Sequence, residues 1–278
     1  MKLTYLGTGA AEGIPSLFCQ CDYCRRARAR GGRQIRSRSQ LLVDGELSVD
    51  FPPDAFYHAA RLKADLSAIR YLLVTHSHMD HFYAHDFILR GYKYAHGMTS
   101  PTLDIFGNAE VCEVFRECTR RELREEIAAG IRLHEIRAFE PFTFGEYRAT
   151  ALAASHTSRE PFVYLIEKSG KKYLHLTDTG VLPEETFDYL SRVSGKAGAV
   201  TIDCTFLFDR ADVVRRHMGL EDNARVLSRL KDFGLVDGET KVIITHFSHN
   251  SAPSPERLKR AEREYGVIAA YDGMTLEF

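Results

Sequence analysis

The stretch Thr75–His81 reads T-H-S-H-M-D-H and follows directly on the apolar run Tyr71-Leu72-Leu73-Val74. Three histidines and an aspartate thus stand together at the end of a buried strand. A strand that simply continued would send His76 and His78 to one face only, whereas a loop folds His76, His78, Asp80 and His81 inward together. Neutral imidazole and carboxylate suit zinc, and also manganese or iron. Four such side chains are too many for one open catalytic ion that also draws ligands from elsewhere. They match two divalent ions sharing a bridging carboxylate, so the fold has to bring further ligands to the same place.

Three later stretches offer them. A-A-S-H-T-S places His156, H-L-T-D-T-G places Asp178 and I-I-T-H-F-S-H-N places His246, each just after an apolar strand. Taken singly, a histidine or a Thr-Asp after a strand is an ordinary turn residue. Their joint occurrence with the first motif predicts strand ends converging on one rim.

The rest of the pattern is consistent with such a rim. Strands are expected at Lys2–Leu6, Gln40–Val43, Glu46–Val49, Arg70–Val74, Arg148–Ala153, Phe162–Glu167 and Lys172–Leu176. Further strands follow at Ala199–Ile202, Lys241–Ile244, Gly266–Ala270 and Met274–Phe278. Helices are expected at Pro53–Lys63, Ala109–Ala128, Leu220–Phe233 and Pro255–Glu264. The polar segment from Gly9 to about Ser37 reads as a long loop. With 278 residues, 44% of them hydrophobic, and no flexible linker, one domain over residues 1–278 is expected, an α/β (α+β) layering of stacked sheets flanked by helices.

The formal net charge of -1 provides no global field for nucleic acid or membrane. Seven arginines nevertheless lie between Arg25 and Arg38 with no acid among them. One or two are expected to touch an anionic substrate or cover the nearby cysteines. The N-terminus lacks a signal-peptide core, and no apolar run approaches spanning length, so a cytoplasmic protein with no membrane partner is expected. In that setting the C-x-C-x-x-C spacing of Cys19, Cys21 and Cys24 favours a metal site over a disulfide framework, with free thiols or a redox pair as the alternative. Cys112, Cys118 and Cys204 read as ordinary thiols.

H-S-H-M-D-H, with the N-terminal L-G-T-G, T-D-T-G and T-H-F-S-H, resembles the metallo-β-lactamase superfamily. The resemblance implies an αββα sandwich of two stacked mixed sheets and two-metal hydrolysis. His76, His78 and His156 would bind one ion, Asp80, His81 and His246 the other, and Asp178 both. Asp80 would also orient the nucleophile. The start G-T-G-A-A-E-G-I-P-S-L-F-C-Q-C-D-Y-C is similar to the phosphoribosyl cyclic phosphate phosphodiesterases of the carbon–phosphorus lyase pathway. That similarity implies one structural zinc on Cys19, Cys21, Cys24 and His249, closed and non-catalytic. It makes His217, in R-H-M-G-L, the general-acid candidate. It also places Asp50 and Asp272 behind the ligands, orienting them.

The implied substrate is a small anionic phosphodiester, and the implied assembly a homodimer. Phe82, Tyr83 and His85 are candidates for the pocket wall. Two other readings stay open. The tRNA 3′-processing nucleases share L-G-T-G-A-A and H-x-H-x-D-H, but the basic arm with which they grip RNA is not visible here. The non-hydrolytic pyrroloquinoline quinone biosynthesis type shares the cysteine cluster, but its histidine motif is degraded.

Overall fold

The computed structural model describes residues 1–209 and 216–278. In chain order the elements are β1 (Lys2–Gly7), α1 (Asp22–Arg30), β2 (Gln40–Val43), β3 (Leu47–Val49), α2 (Ala55–Leu62), β4 (Tyr71–Leu73) and β5 (Leu103–Gly107). Next come α3 (Ala109–Thr119), α4 (Glu125–Ala128), β6 (Ile131–Glu135), β7 (Pro141–Phe144), β8 (Tyr147–Ala153), β9 (Phe162–Lys168) and β10 (Lys171–Leu176). The chain closes with α5 (Glu184–Leu190), β11 (Ala199–Asp203), α6 (Leu220–Asp232), β12 (Lys241–Thr245), α7 (Pro255–Tyr265), β13 (Ile268–Ala269) and β14 (Met274–Glu277).

Across the described residues these strands form two seven-stranded sheets, ordered β14-β1-β2-β3-β4-β5-β6 and β13-β12-β11-β10-β9-β8-β7. Both are mixed. The run β3 to β6 is parallel in the first sheet, and the run β10 to β13 in the second. Alternation along each strand sorts the core into three layers. Leu3, Tyr5, Val43, Tyr164, Tyr173 and Ile243 fill the space between the sheets. Leu72 and Ile105 turn outward beneath Val111 and Phe115 of α3. Leu174, Ile202 and Ile244 turn outward beneath Phe187, Val226 and Ala261 of α5, α6 and α7. The result is helix, sheet, sheet, helix, as expected.

Strand direction then places the site. Strands β10, β11 and β12 run parallel, and β8 shares their direction because two antiparallel pairings separate it from β10. The segments carrying His156, Asp178, Asp203 and His246 therefore leave this sheet at the same edge. In the first sheet, β3 and β4 end side by side and deliver Asp50 and Thr75. The amide of Phe162 donates to the Thr75 carbonyl at 2.8 Å, joining the two edges.

Several elements differ from the expectation. The polar loop after β1 contains α1, because the Cys21 side chain caps it by accepting from the Cys24 amide and Gly31 closes it at φ 62°. The single long helix over Ala109–Ala128 is two helices. Thr119 folds its hydroxyl back on the Phe115 carbonyl at 2.7 Å, its own carbonyl accepts from the Glu122 and Leu123 amides, and the chain turns at Arg120-Arg121. At the other end of α3 the Asn108 side chain accepts from the Val111 amide, a cap worth about 1 kcal/mol. Strand β5 and helix α5 went unpredicted.

Candidate metal centres

The loop after β4 is held as a tight turn, with the His81 and Phe82 amides donating to the His78 carbonyl at 3.0 and 2.8 Å. This turn brings the side chains of His76, His78, Asp80 and His81 together on one side. His76, His78 and His156 place one nitrogen each within 4.8 Å of one another, and so do the ligand-type atoms of Asp80, His81, Asp178 and His246. Asp178 joins the two groups. Its Oδ2 lies 3.3 Å from His76 Nε2, 2.9 Å from His81 Nε2 and 3.5 Å from His156 Nε2, while Oδ1 lies 3.8 Å from His246 Nε2.

Three of these atoms are buried without a hydrogen-bond partner among the described residues: His81 Nε2, His246 Nε2 and Asp178 Oδ1. An unsatisfied buried polar atom costs about 1–3 kcal/mol. Three of them in one cluster, beside ring nitrogens of His76, His78 and His156 only 3.0 to 3.3 Å apart, form a donor set that divalent cations satisfy. The residues present thus fit two ions sharing Asp178.

The backbone is bent to make this set. Asp50, Asp178 and His246 each follow a strand end and take φ of 64°, 55° and 64°. This left-handed conformation costs a non-glycine residue about 1–2 kcal/mol, and it clusters at functional sites.

The electrostatics follow from burial and neighbours. Burial and the facing histidines hold His76 well below its ordinary value. Burial works in the same direction on His81, but Asp80, Asp50 and Asp178 around it prevail and hold it well above. Burial opposes ionisation of Asp178 too, yet His246 and His81 outweigh it and keep the carboxyl well below its usual range.

Asp50 packs against His81, with Oδ2 2.7 Å from His81 Nδ1 and Oδ1 accepting from the Thr75 amide at 2.8 Å. Asp272 is elsewhere. It accepts from the Thr8 hydroxyl and from the amide and hydroxyl of Ser37, and no site histidine is among its hydrogen-bond partners. His217 is drawn in: its Nδ1 lies 3.1 Å from Asp178 Oδ1 and 3.4 Å from Asp203 Oδ2, and its ring stacks on His246 at 5.5 Å. Burial lowers its basicity, but the bonds to Asp178 and Asp203 more than offset this and push it up to about 10.

Asp203, at the end of β11, had no place in the sequence reading. It is fully buried. Its Oδ1 accepts from the Thr205 and Met218 amides at 3.0 and 2.9 Å, and its Oδ2 from the Thr205 hydroxyl. Its oxygens also lie close enough to His217 and His246 for the four residues Asp178, Asp203, His217 and His246 to form a third ligand-type group at this centre. Because Asp203 is already satisfied by protein donors, it serves better to hold the two histidines than to bind an ion. The strand-end rule that found Asp178 would have found it.

The cavity over this centre has a volume of about 360 Å³, and its walls include His78, Asp80, His156, Asp178, His217 and His246. None of the Arg25–Arg38 arginines lines it among the described residues. Arg36 is buried against Thr8 and the Ala270 carbonyl, Arg38 pairs with Asp54, and Arg33 stacks on Tyr271. Phe82, Tyr83 and His85 also stay out of the lining. Phe82 belongs to the core under α3 instead.

A separate cluster gathers Cys19, Cys21, Cys24 and His249, with ligand-type atoms within 4.8 Å of one another. His249 Nδ1 lies 3.4 Å from Cys24 Sγ and 3.8 Å from Cys21 Sγ. The Cys24 amide and His249 pull the Cys21 thiol down to about 6. Cys112, Cys118 and Cys204 lie outside this cluster and are free thiols.

These layers and this centre define a metallo-hydrolase fold. The family model described as the beta-lactamase superfamily domain matches residues 41–247, and the chain belongs to that superfamily, with the metallo-β-lactamase fold. Among solved structures it is similar to a diphosphatase from the PhnP family, at 21% identity, covering 100% of this chain and 97% of that one with a TM-score of 0.74. It is similar to zinc-bound PqqB from Methylobacterium extorquens, at 18% identity, covering 100% of each chain with a TM-score of 0.75. It is also similar to the short form of human tRNase Z, at 17% identity, covering 100% and 99% of the two chains with a TM-score of 0.69. Among curated proteins, an octanoyltransferase from Porphyromonas gingivalis (strain ATCC BAA-308 / W83) is 29% identical over 83 residues, which are 29% of this chain and 16% of that protein. The chain spans only that small part of the curated relative.

Proposed function

We propose that residues 1–278 act as one domain, a two-metal phosphodiesterase that cleaves a small diester. The observation that carries the reading is Asp178, whose two oxygens reach toward both ligand groups at once. His76, His78 and His156 would hold one ion, and Asp80, His81 and His246 the other, with zinc or manganese favoured by the donor set and iron compatible with it. When bound, such ions activate water near neutral pH and neutralise charge at the scissile ester.

The chain's own residues do the rest. Asp50 and Asp203 fix ring orientations from behind. Asp80, on the cavity wall, accepts a hydrogen bond from the attacking water and aims it. His217 has Nδ1 committed to Asp203, so the proton it hands to the leaving oxygen comes from Nε2. Cys19, Cys21, Cys24 and His249 would hold a structural zinc that pins the N-terminal segment beside the cavity. A small substrate is favoured over RNA because gripping a nucleic-acid backbone takes several lysines or arginines, and the described cavity lining has none.

The test is hydrolysis of a bis-aryl phosphate, of nucleoside cyclic phosphates and of a tRNA precursor with added manganese or zinc, beside the Asp80→Ala protein. Metal-dependent cleavage of the small diesters, lost in the variant while the cysteine-bound zinc is retained, is the expected result. Cleavage of the RNA alone would replace this reading with a nuclease. Cleavage of none would overturn it.

A further inference from the structure

The metal ligands and His217 account for only part of the cavity wall. The remainder includes Glu12, Thr157, Phe206, Ser248 and Asn250, none of which the proposed chemistry uses. Glu12 is the notable member, because it places a carboxylate in a cavity proposed to receive an anion.

Its position is fixed by the fold. The turn that carries it is locked to the segment after β12, with the Ala10 amide donating to the Phe247 carbonyl and the Phe247 amide to the Thr8 carbonyl, both at 3.0 Å. The Gly13 amide closes the turn on the Ala10 carbonyl at 2.9 Å. The Glu12 side chain is 29% exposed. Its Oε1 accepts from the hydroxyl of buried Ser248 at 2.5 Å and lies 4.0 Å from His249 Nε2. Both Ser248 and His249 follow closely on His246, so the carboxylate is anchored to the same segment that carries a proposed ligand.

An ionised carboxylate only accepts hydrogen bonds. Beside it Asn250 supplies an amide and Phe206 an aromatic face, and among the described lining residues there is no lysine or arginine. We infer that Glu12 is a specificity residue: it accepts from a hydroxyl on the part of the diester remote from the metals and rejects a second phosphate there. Selection of this kind works through the repulsive element as much as the attractive one. The inference rests on the phosphodiesterase reading and names the substrate class within it, a singly charged diester whose other end is a neutral, hydroxyl-bearing group.

The experiment compares a nucleoside 2′,3′-cyclic phosphate with its 5′-phosphorylated counterpart, which carries the same scissile ring. Wild-type protein is expected to favour the 5′-hydroxyl form by at least about tenfold in kcat/KM. Glu12→Gln, which keeps the shape and removes the charge, is expected to shrink that ratio at least about threefold by recovering the 5′-phosphate form. Glu12→Asp, which keeps the charge, retains the preference. Zinc content is measured for each variant, so that damage to the cysteine cluster is recognised directly.

A wild-type ratio near one, a preference for the 5′-phosphate, or a ratio unmoved in Glu12→Gln would overturn the inference while leaving the phosphodiesterase reading intact. Failure of wild-type protein to cleave these nucleotides and the bis-aryl phosphate alike would overturn both.

Discussion

Asp50 Oδ2 lies 2.7 Å from His81 Nδ1, and this contact decides which ring nitrogen of His81 faces Asp178. The carboxylate accepts a hydrogen bond from Nδ1–H, so Nε2 is the nitrogen that would present its lone pair to a bound ion.

Asp50→Asn tests that relationship. Oδ1 already accepts from the Thr75 amide, so the new amide nitrogen has to face His81. It would donate to Nδ1 and force the proton onto Nε2, inside the centre. Metal affinity or kcat/KM is expected to fall by about 10–100-fold, read by metal titration and steady-state kinetics. Unchanged values in both would sink the orienting role.

Asp203→Asn carries the same logic to the other side of the centre. Two amides occupy Oδ1, which leaves the new NH2 group facing His217 and His246. With both rings loosened, kcat is expected to fall by roughly tenfold or more, while zinc at the cysteine cluster stays. A kcat equal to wild type would show that Asp203 holds up the fold alone.

Cys24→Ser addresses the cysteine cluster. Elemental analysis is expected to show one zinc fewer per chain, and thermal unfolding to begin at lower temperature, because a closed Cys3His site contributes directly to folding. Cys112→Ser, on α3 and outside the cluster, is the control and is expected to lose no zinc. Identical zinc content in the two variants would remove the structural-zinc reading.

Away from the metals, Asp272 and His58 share Ser37 as a neighbour and are expected to respond to pH in opposite directions. Burial pushes Asp272 up from 3.8 to about 6, against hydrogen bonds from Ser37 and Thr8. The fold therefore prefers the neutral acid, and this contribution is full below pH 3.8 and lost as pH rises through 6. Burial pushes His58 down from 6.5 to about 4. The fold prefers neutral imidazole, and that contribution is full above pH 6.5 and lost as pH falls toward 4. Urea unfolding across this range should show a flatter alkaline limb for Asp272→Asn and a flatter acid limb for His58→Asn, each by roughly 1–2 kcal/mol. Superimposable profiles would refute the assignment.

The centre was legible in the sequence to the extent that its residues sit beside their own strands. His76, His78, Asp80 and His81 share one loop, and His156, Asp178 and His246 each follow an apolar run. The layered fold was legible for the same reason, since β8 to β12 read as near-continuous apolar runs, the pattern of strands buried on both faces. What escaped notice depends on contacts remote in sequence. Helix α1 is arginine-rich with little apolar periodicity, and it owes its ends to Cys21 and Gly31. Strand β5 carries Asp104 at its second position, a residue paired with Arg132 and His134 on the neighbouring β6. Asp203 and Glu12 look like a strand end and a turn acid until tertiary structure sets them beside His217 and Ser248. Of the arginine run, one or two members are expected to touch an anionic substrate or cover the cysteines; Arg28 bonds the Ser16 carbonyl in the cysteine-bearing segment, while Arg36 and Arg38 fasten the chain's own loops.

The left-handed backbone at Asp50, Asp178 and His246 restricts how this centre can diversify. Aspartate, asparagine and histidine are the non-glycine residues that adopt this conformation most readily, and two of the three are also good metal ligands. Exchanges among them at these positions would change the charge and softness of the site while leaving the turns intact. Glutamate or cysteine would have to rebuild the turn as well as the coordination. At these positions histidine–aspartate interchange is therefore the change of donor set that the main-chain geometry resists least.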